Sequence, residues 1–537
     1  MTTTTTNKRD QLPSLLLLPF PPHPFNRTLL NAAYRPSLTA VLSKLKHANP
    51  HGASKLIVAV AVPILQGPPY QLRAKTLFWS QAQSLVAGLY AIISVICARL
   101  GISTEIDGGP GSVDATVILV DHDRGRKALV TAEDKMLRSG GSGGGASGSL
   151  IETNNTVVVD LASFAEAYHP WNYIFHVRTE QGIALNEVYL QMAEGKMVGA
   201  ANKIRQEQLV AVEGGLTLNQ GLGTVGDTTT AAGGREEEKE SEEGRKVSGV
   251  PVVCLGGPFD LSPSRPQLLL TAGALLLGPP SKDELALPAT SPRRREPCKY
   301  LIGITGDELL KNKKFAEYVQ SWETRARNVI YFLSRLLQLS DKGWREATGP
   351  AAGENNINTA VAAGVHIDEN DGDFRAVFRD GTIVVQCVRI QDAFGPTISE
   401  EDIDVLVVSG ETRSGGKAVN DKRAEQGWKT LEVFEVDVLN ADEIPEDVGE
   451  DVKATEDFTS KISSTVIRQQ RAAQATGRSE VRFELMLRVY ICNVHTRGEV
   501  SGDLDELLVF GHSIKARAPG SKSCLSTKAS MVAGEIG

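Results

Sequence analysis

The sequence predicts an α/β protein whose C-terminal half is a parallel sheet with helices on both faces. Two observations carry this. From residue 249 onward, short apolar runs of strand length alternate with longer amphipathic runs of helical spacing, the pattern of a sheet crossed repeatedly by helices. The 537 residues are also 41% hydrophobic and 23% charged, proportions that allow a soluble chain to bury a sizeable core.

In order along that half, "VPVVCLGG" (250–257) reads as a short buried strand and "PQLLLTAGALLL" (266–277) as a helix with proline in its first turn, where a missing N–H is tolerated. "KYLIGIT" (299–305) is a second strand. "WETRARNVIYFLSRLLQL" (322–339) is a helix with Val329, Phe332, Leu333 and Leu336 on one face. "TIVVQCVRI", "DVLVVS" and "TLEVFEVDVL" supply three further strands, with "ETRSGGKAVNDKRAEQG" a helix between the last two. A doubly wound, Rossmann-like sheet of this kind binds ligands at the carboxyl ends of its strands.

Upstream, residues 1–213 form an α/β region of unassigned role. "DATVILVDHD" and "TVVVDLASF" have strand character, and "LNEVYLQMAEGKMVGAANKIRQEQLV" (185–210) reads as one helix with an apolar face. A Gly/Ser linker at 139–148 interrupts this region. Residues 214–248 are a low-complexity, charged connector, 249–478 the C-terminal α/β domain, and 479–537 an extension that adds no chemistry. The connector holds a formal GxGxxG, Gly221 to Gly226, but with no strand before it and no helix after it the match lacks the context a dinucleotide site needs. The leucine run of "LPSLLLLPFPP" is too short and too soon broken by proline for a secretory segment. "TLFWSQAQSLVAGLYAIISVIC" (76–97) is long enough to span a bilayer, but Gln81, Gln83 and three serines favour a buried amphipathic helix.

A formal net charge of −8 with no long basic stripe argues against nucleic acid as partner, and no membrane association is expected. The six cysteines are widely spaced and show no CxxC pair. They read as reduced thiols of a cytoplasmic protein, with no metal site among them.

Four strand-end segments carry polar residues that core packing does not explain. After the first strand come Gly256, Gly257, Pro258, Phe259 and Asp260; glycines there let phosphate oxygens approach backbone N–H groups, although an ordinary tight turn has the same composition. "GDELLKNKKFAEY" brings Lys311, Lys313 and Lys314 to the end of the second strand. There they would neutralise phosphate or simply face solvent. The fourth strand ends in Ser409, Glu411 and Thr412, followed by Asn420 and Arg423; helix capping accounts for one hydroxyl but not for the whole set. "KISSTVIRQQ" places Ser463, Ser464 and Thr465 at a helix start with Arg468 one turn on, a set able to hold a phosphate through hydroxyls and a bidentate guanidinium.

Taken in order, "LGG.FD", "TGDELLKNKK...WETRARNV", "RIQDAFGPT", "LVVSGETRSGGKAVNDKR" and "ISSTVIR" resemble the eukaryotic pantetheine-phosphate adenylyltransferases of the nucleotidyltransferase superfamily, in their fungal, monofunctional form. The resemblance covers about residues 249–476 and implies a Rossmann-like nucleotidyltransferase domain. The implied reaction transfers AMP from ATP to 4'-phosphopantetheine, giving dephospho-coenzyme A and pyrophosphate, with Mg2+ bridging the triphosphate. Other coenzyme A synthesis enzymes are implied partners.

By the same resemblance, Lys311 or Lys313 holds the phosphopantetheine phosphate. Gly256, Gly257, Phe259, Asp260, Ser409, Glu411, Thr412, Asn420 and Arg423 shape the nucleotide site, and Ser463, Ser464, Thr465 and Arg468 meet the ATP phosphates. No GxxxxGK[ST] loop occurs, so the kinase domain fused to this enzyme in animals is not expected.

The family's first motif, Gly-Gly-Thr-Phe-Asp followed by His-x-Gly-His, is altered here. Pro258 stands at the threonine position, Pro263 and Pro266 at the two histidine positions, and Arg265 at the glycine position. An impaired enzyme and a catalytically silent nucleotide-binding or scaffold subunit are both compatible with that change.

Overall fold

The structure, a computed structural model, describes residues 12–22, 27–49, 51–66, 75–104, 108–122, 155–167, 171–194, 204–215, 246–260, 264–337, 366–370, 373–436, 464–465, 467–469 and 471–473. The Gly/Ser linker, most of the charged connector, Pro263, Ser463 and the extension 479–537 lie outside the described residues.

The N-terminal region is an all-parallel sheet. Its strands are β1 (Ser14–Leu18) and β2 (Ser54–Val62), then, past a short β3 (Leu65–Gln66) and β4 (Thr76–Phe78), β5 (Val113–Asp121), β6 (Val159–Asp160), β7 (Ile174–Val177) and β8 (Leu209–Val212). They lie in the order β6-β5-β2-β1-β7-β8. The leucine run 15–18 is the central strand, with every residue of β1 buried. A strand covered on both faces needs such a continuous apolar run. β3, β4 and β9 (Lys246–Val247) form a small antiparallel sheet.

Two N-terminal expectations are corrected. In "TVVVDLASF" only Val159 and Asp160 pair with β5, and a helix begins at Leu161. The Asp160 carboxylate accepts from the Ser163 backbone N–H at 2.8 Å and from its hydroxyl at 3.0 Å, so an N-cap ends the strand early. The single helix expected over 185–210 is a helix at Glu180–Glu194, and "LVAV" at 209–212 is a strand paired to β7. The Thr179 hydroxyl accepts from Gly182 N–H at 3.1 Å and sets the earlier start.

The C-terminal sheet comprises β10 (Val252–Gly257), β11 (Cys298–Thr305), β12 (His366–Asn370), β13 (Asp373–Phe378), β14 (Ile383–Ile390), β15 (Val405–Ser409) and β16 (Glu432–Val436), in the order β12-β13-β14-β11-β10-β15-β16. The five strands from β14 to β16 are mutually parallel. The chain runs outward from β10 through β11 to β14, then returns to β15 and β16 on the other side. Strand order therefore reverses between β10 and β15, where α/β sheets open a crevice. The antiparallel hairpin β12–β13 at one edge has no counterpart in the alternation read from sequence. β13 alternates buried and exposed positions, as suits an edge with one face solvated.

Both sheets belong to one compact unit, Met1–Gln469, and one apolar core runs through them. The apolar helix Trp79–Leu100 is buried in this core. Its Trp79 indole donates to the Ala272 carbonyl at 2.9 Å and meets Phe434 edge-on at 5.0 Å. Elsewhere in the core Arg335 pairs with Asp114 at 2.6 and 3.0 Å, and Arg379 donates to the carbonyls of Val157 (2.6 Å) and Leu337 (2.9 Å). Cys97, Cys254, Cys298 and Cys387 are buried free thiols. Burial pushes the first three up to about 12 and the fourth higher still, so they pack rather than react.

Candidate functional site

Parallel register puts the ends of β10, β11 and β15 on one edge. Gly257 lies beside Ile304, and Leu255 beside Val407 two residues before Ser409. The turn that follows β10 is strained, and it runs from the exposed Pro258 into buried residues. Phe259 adopts a left-handed φ of 48°, a conformation that disfavours residues carrying a Cβ. Phe259 and Asp260 are both buried, and the Phe259 ring lies over Gly257.

Asp260 anchors the site. Its Oδ2 takes a charge-assisted hydrogen bond from Arg468, and its Oδ1 accepts from the Gln320 N–H at 3.4 Å. Arg468, 1% exposed, also donates to the Lys314 carbonyl and to the Thr465 hydroxyl, each at 3.1 Å. The turn, the end of the lysine loop, and Thr465 and Arg468 are thus brought together. Arg468 differs from the phosphate clamp expected of it, because its guanidinium is committed to a buried carboxylate that would otherwise be left unpaired. Ser464 and Thr465 are half-buried beside it.

The lysine loop follows β11 and the short helix Asp307–Leu310. Lys311, Lys313 and Lys314 are exposed, and among the described residues no carboxylate pairs with them. Leu309 beside them is 49% exposed, so this corner presents cations next to apolar surface.

At the end of β15, Ser409 and Thr412 cap one another. The Ser409 N–H donates to the Thr412 hydroxyl at 3.0 Å, and that hydroxyl donates to the Ser409 carbonyl at 3.1 Å. Glu411 is exposed. Arg413 forms a bidentate pair with Glu435 at 2.5 and 2.6 Å, which holds the Glu435 carboxyl below its usual range.

Asn420 and Arg423 are not brought to this edge. Asn420 brackets Leu431, donating to its carbonyl at 2.9 Å and accepting from its N–H at 2.8 Å, at the amino end of β16. Arg423, fully buried, donates to the carbonyls of Lys429, Thr397, Glu400 and Glu401 at 2.7 to 3.0 Å. It lies ten residues into the helix Arg413–Glu425, about 15 Å along the axis from the strand end at a rise of about 1.5 Å per residue. Both residues brace the fold.

Sequence reasoning missed Arg325. This side chain is 0% exposed and donates to the Pro258 carbonyl (2.6 Å), the Gln320 carbonyl (3.0 Å) and Asp307 Oδ1 (2.5 Å). Asp307 also accepts from the Trp322 N–H at 3.2 Å. The available signal was periodicity: Arg325 falls on the stripe that continues through Val329, Phe332 and Leu336, and a charge on a buried stripe requires a partner. Among the described residues, no group of three His, Cys, Asp or Glu side chains is placed to hold a metal ion.

A family model described as a domain of unknown function (DUF8446) matches residues 1–218. Among curated relatives, an uncharacterized protein, C1F12.08, of Schizosaccharomyces pombe is 27% identical over 175 residues, 33% of this chain and 40% of that one. The phosphopantetheine adenylyltransferase of Saccharomyces cerevisiae is 27% identical over 225 residues, 42% of this chain and 50% of that one. That of Methanothermobacter thermautotrophicus is 31% identical over 65 residues, 12% and 40% of the two chains. A solved protein of unknown function from Archaeoglobus fulgidus is 19% identical with a TM-score of 0.19, covering 35% of this chain and 98% of that one.

The chain has a nucleotidyltransferase-like relationship. It is held at low identity, and the matched stretches span half the length or less of these curated relatives.

Proposed function

We propose that this chain is an adenylyltransferase of coenzyme A synthesis, joining the phosphate of 4'-phosphopantetheine to the α-phosphorus of ATP with release of pyrophosphate. The observation that carries the reading is the arrangement at the reversal of strand order, where a glycine turn, an exposed lysine loop and Thr465 meet around the Asp260–Arg468 pair. In this reading Lys311 or Lys313 receives the phosphopantetheine phosphate, and Ser409, Glu411, Thr412, Ser463, Ser464 and Thr465 surround the nucleotide. ATP arrives with Mg2+, whose ligands are mainly phosphate oxygens and water. Such chemistry asks the protein for positioning and charge neutralisation more than for covalent participation. A cytoplasmic setting and association with other coenzyme A enzymes go with this reading.

A second reading, a catalytically silent nucleotide-binding subunit, is favoured by one feature. Pro258 and Pro266 lack the backbone N–H, and neither they nor Pro263 offers a side-chain donor where pyrophosphate would depart. Losing one pre-organised donor costs about a hundred- to a thousandfold in rate, so losing two costs about ten-thousandfold or more.

The test is pyrophosphate release from ATP and 4'-phosphopantetheine by the natural chain and by the combined variant Pro258→Thr, Pro263→His, Arg265→Gly and Pro266→His. We expect slow turnover by the former and recovery in the latter. Equal rates would remove the role given to the motif; ATP binding with no turnover by either would establish the silent subunit.

A further inference from the structure

We propose that Arg325 is a positioning residue which, together with Arg468, fixes the lysine loop against the turn after β10 and so sets where the ammonium groups of Lys311 and Lys313 stand. The inference rests on the adenylyltransferase reading for the identity of the anion, but its geometry is independent of that reading.

The loop between Asp307 and Gln320 is gripped at three places by two buried guanidinium groups. Arg325 holds the Asp307 carboxylate at its start and the Gln320 carbonyl at its finish. Arg468 holds the carbonyl of Lys314, the last lysine of the loop. Each arginine reaches with another donor to the same turn, Arg325 to the Pro258 carbonyl and Arg468 to the Asp260 carboxylate. Pro258 and Asp260 flank Phe259, and the loop carries a second left-handed residue, Phe315 at φ 57°. Unfavourable backbone conformations persist only where the surroundings over-determine them, and these two arginines supply that constraint.

Three features make this more than general packing. The lysines themselves are exposed, so their ammonium groups have no burial to hold them in place and depend on the backbone beneath. The planar guanidinium bridges two or three acceptors in fixed directions, which a lysine cannot do. Asp307 is 42% exposed, so its contact with Arg325 closes the start of the loop rather than filling a core. An anion bound by a lysine point charge is held weakly unless that charge is pre-placed.

The test uses the full chain with Arg325→Lys, Arg325→Met and Asp307→Asn. Trypsin cleavage after Lys311, Lys313 and Lys314 is followed by mass spectrometry, with the exposed Lys417 and Lys422 on the helix Arg413–Glu425 as internal controls. We expect cleavage in the loop to accelerate about tenfold in Asp307→Asn and Arg325→Lys while the control sites keep their rate, as local opening follows the loss of its own contacts. Arg325→Met, which removes the guanidinium contacts to Asp307, Gln320 and Pro258 together, should exceed both. Loop cleavage unchanged in all three, or rising in step with the control sites, overturns the proposal.

In the active-site-restored chain the same substitutions should raise KM for 4'-phosphopantetheine about tenfold and KM for ATP less than twofold. Equal rises in the two overturn the positioning role. If the restored chain shows no turnover, the adenylyltransferase reading falls while the cleavage pattern still decides this one.

Discussion

The ion pair between Asp114 on β5 and Arg335 on the helix Trp322–Leu337 offers the sharpest test of how the two sheets depend on each other. Both side chains are buried, 1% and 2% exposed, with two N–H···O contacts of 2.6 and 3.0 Å. Burial alone would lower the Arg335 pKa, but the charge and hydrogen bonds of Asp114, together with Tyr331 and Tyr90, outweigh it and leave the pKa raised. Replacing Arg335 with Met strands a carboxylate in the core, and replacing Asp114 with Leu strands a guanidinium. Breaking a buried pair in either way costs about 3–5 kcal/mol, whereas replacing both partners with apolar groups is close to neutral. The guanidinium also lies 4.9 Å from the Tyr331 ring centre, an interaction worth about 1–2 kcal/mol for a desolvated cation, so the double variant should fall short of the natural chain by about that amount. Urea unfolding followed by tryptophan fluorescence reports both regions, since Trp171 and Trp322 are buried in the N-terminal and C-terminal regions respectively. We expect one transition, a large loss in each single variant and near-complete recovery in the double. Single losses under about 1 kcal/mol, or a double variant as unstable as the singles combined, would refute the reasoning.

Arg423→Leu should lower stability by about 1–3 kcal/mol, because it orphans the carbonyl of the buried Thr397, while the part-buried carbonyls of Lys429, Glu400 and Glu401 regain water. A variant with an unchanged urea midpoint and weakened ATP binding would return Arg423 to the nucleotide site. His176 on β7 has its pKa lowered from 6.5, first by burial and then by the nearby Arg178 charge. The folded state therefore binds a proton less readily than the unfolded chain, and the stability His176 permits is complete above pH 6.5 and lost as pH falls through its lower folded value. Between pH 7.5 and 5 the natural chain should lose more stability than His176→Gln, and parallel losses would show that the group does not contribute.

The parallel strands of the C-terminal half were legible because each is short, apolar and followed by a run of clear helical period. Where the period was ambiguous, reading failed for identifiable reasons. A single acidic cap, Asp160, turned a strand into a helix start, and a four-residue apolar run at 209–212 took its character from pairing with β7. Of the candidate site, the residues at strand ends share one edge of the sheet, since chain order and strand length fix that edge. What sequence could not separate was a polar residue that faces the site from one that ties the fold. Asn420 and Arg423 follow the β15 end by only eleven and fourteen residues, yet helical rise carries them to the far end of the sheet. Arg325 lies further along the chain than the lysines yet hydrogen-bonds to both ends of their loop, at Asp307 and Gln320.

Both sheets wind outward and back around a central strand, but their carboxyl edges differ in what they leave available. At the N-terminal sheet the chain leaves β1 into Pro19, Phe20, Pro21 and Pro22, and leaves β2 into Pro63, so proline removes backbone donors where a ligand would seek them. Among the described residues, two polar groups there are used internally: the Tyr34 hydroxyl donates to the Pro19 carbonyl at 2.7 Å, and Asp121 accepts from the Leu65 N–H at 3.1 Å. At the C-terminal sheet, β10 ends in two glycines, and buried arginines hold the surrounding backbone while leaving the lysines exposed. The proline at 258 is the exception, importing into the second sheet the feature that closes the first. Its carbonyl remains bound by Arg325, so the turn keeps its scaffold while lacking a donor, and the residues to restore are those of the turn rather than those beneath it.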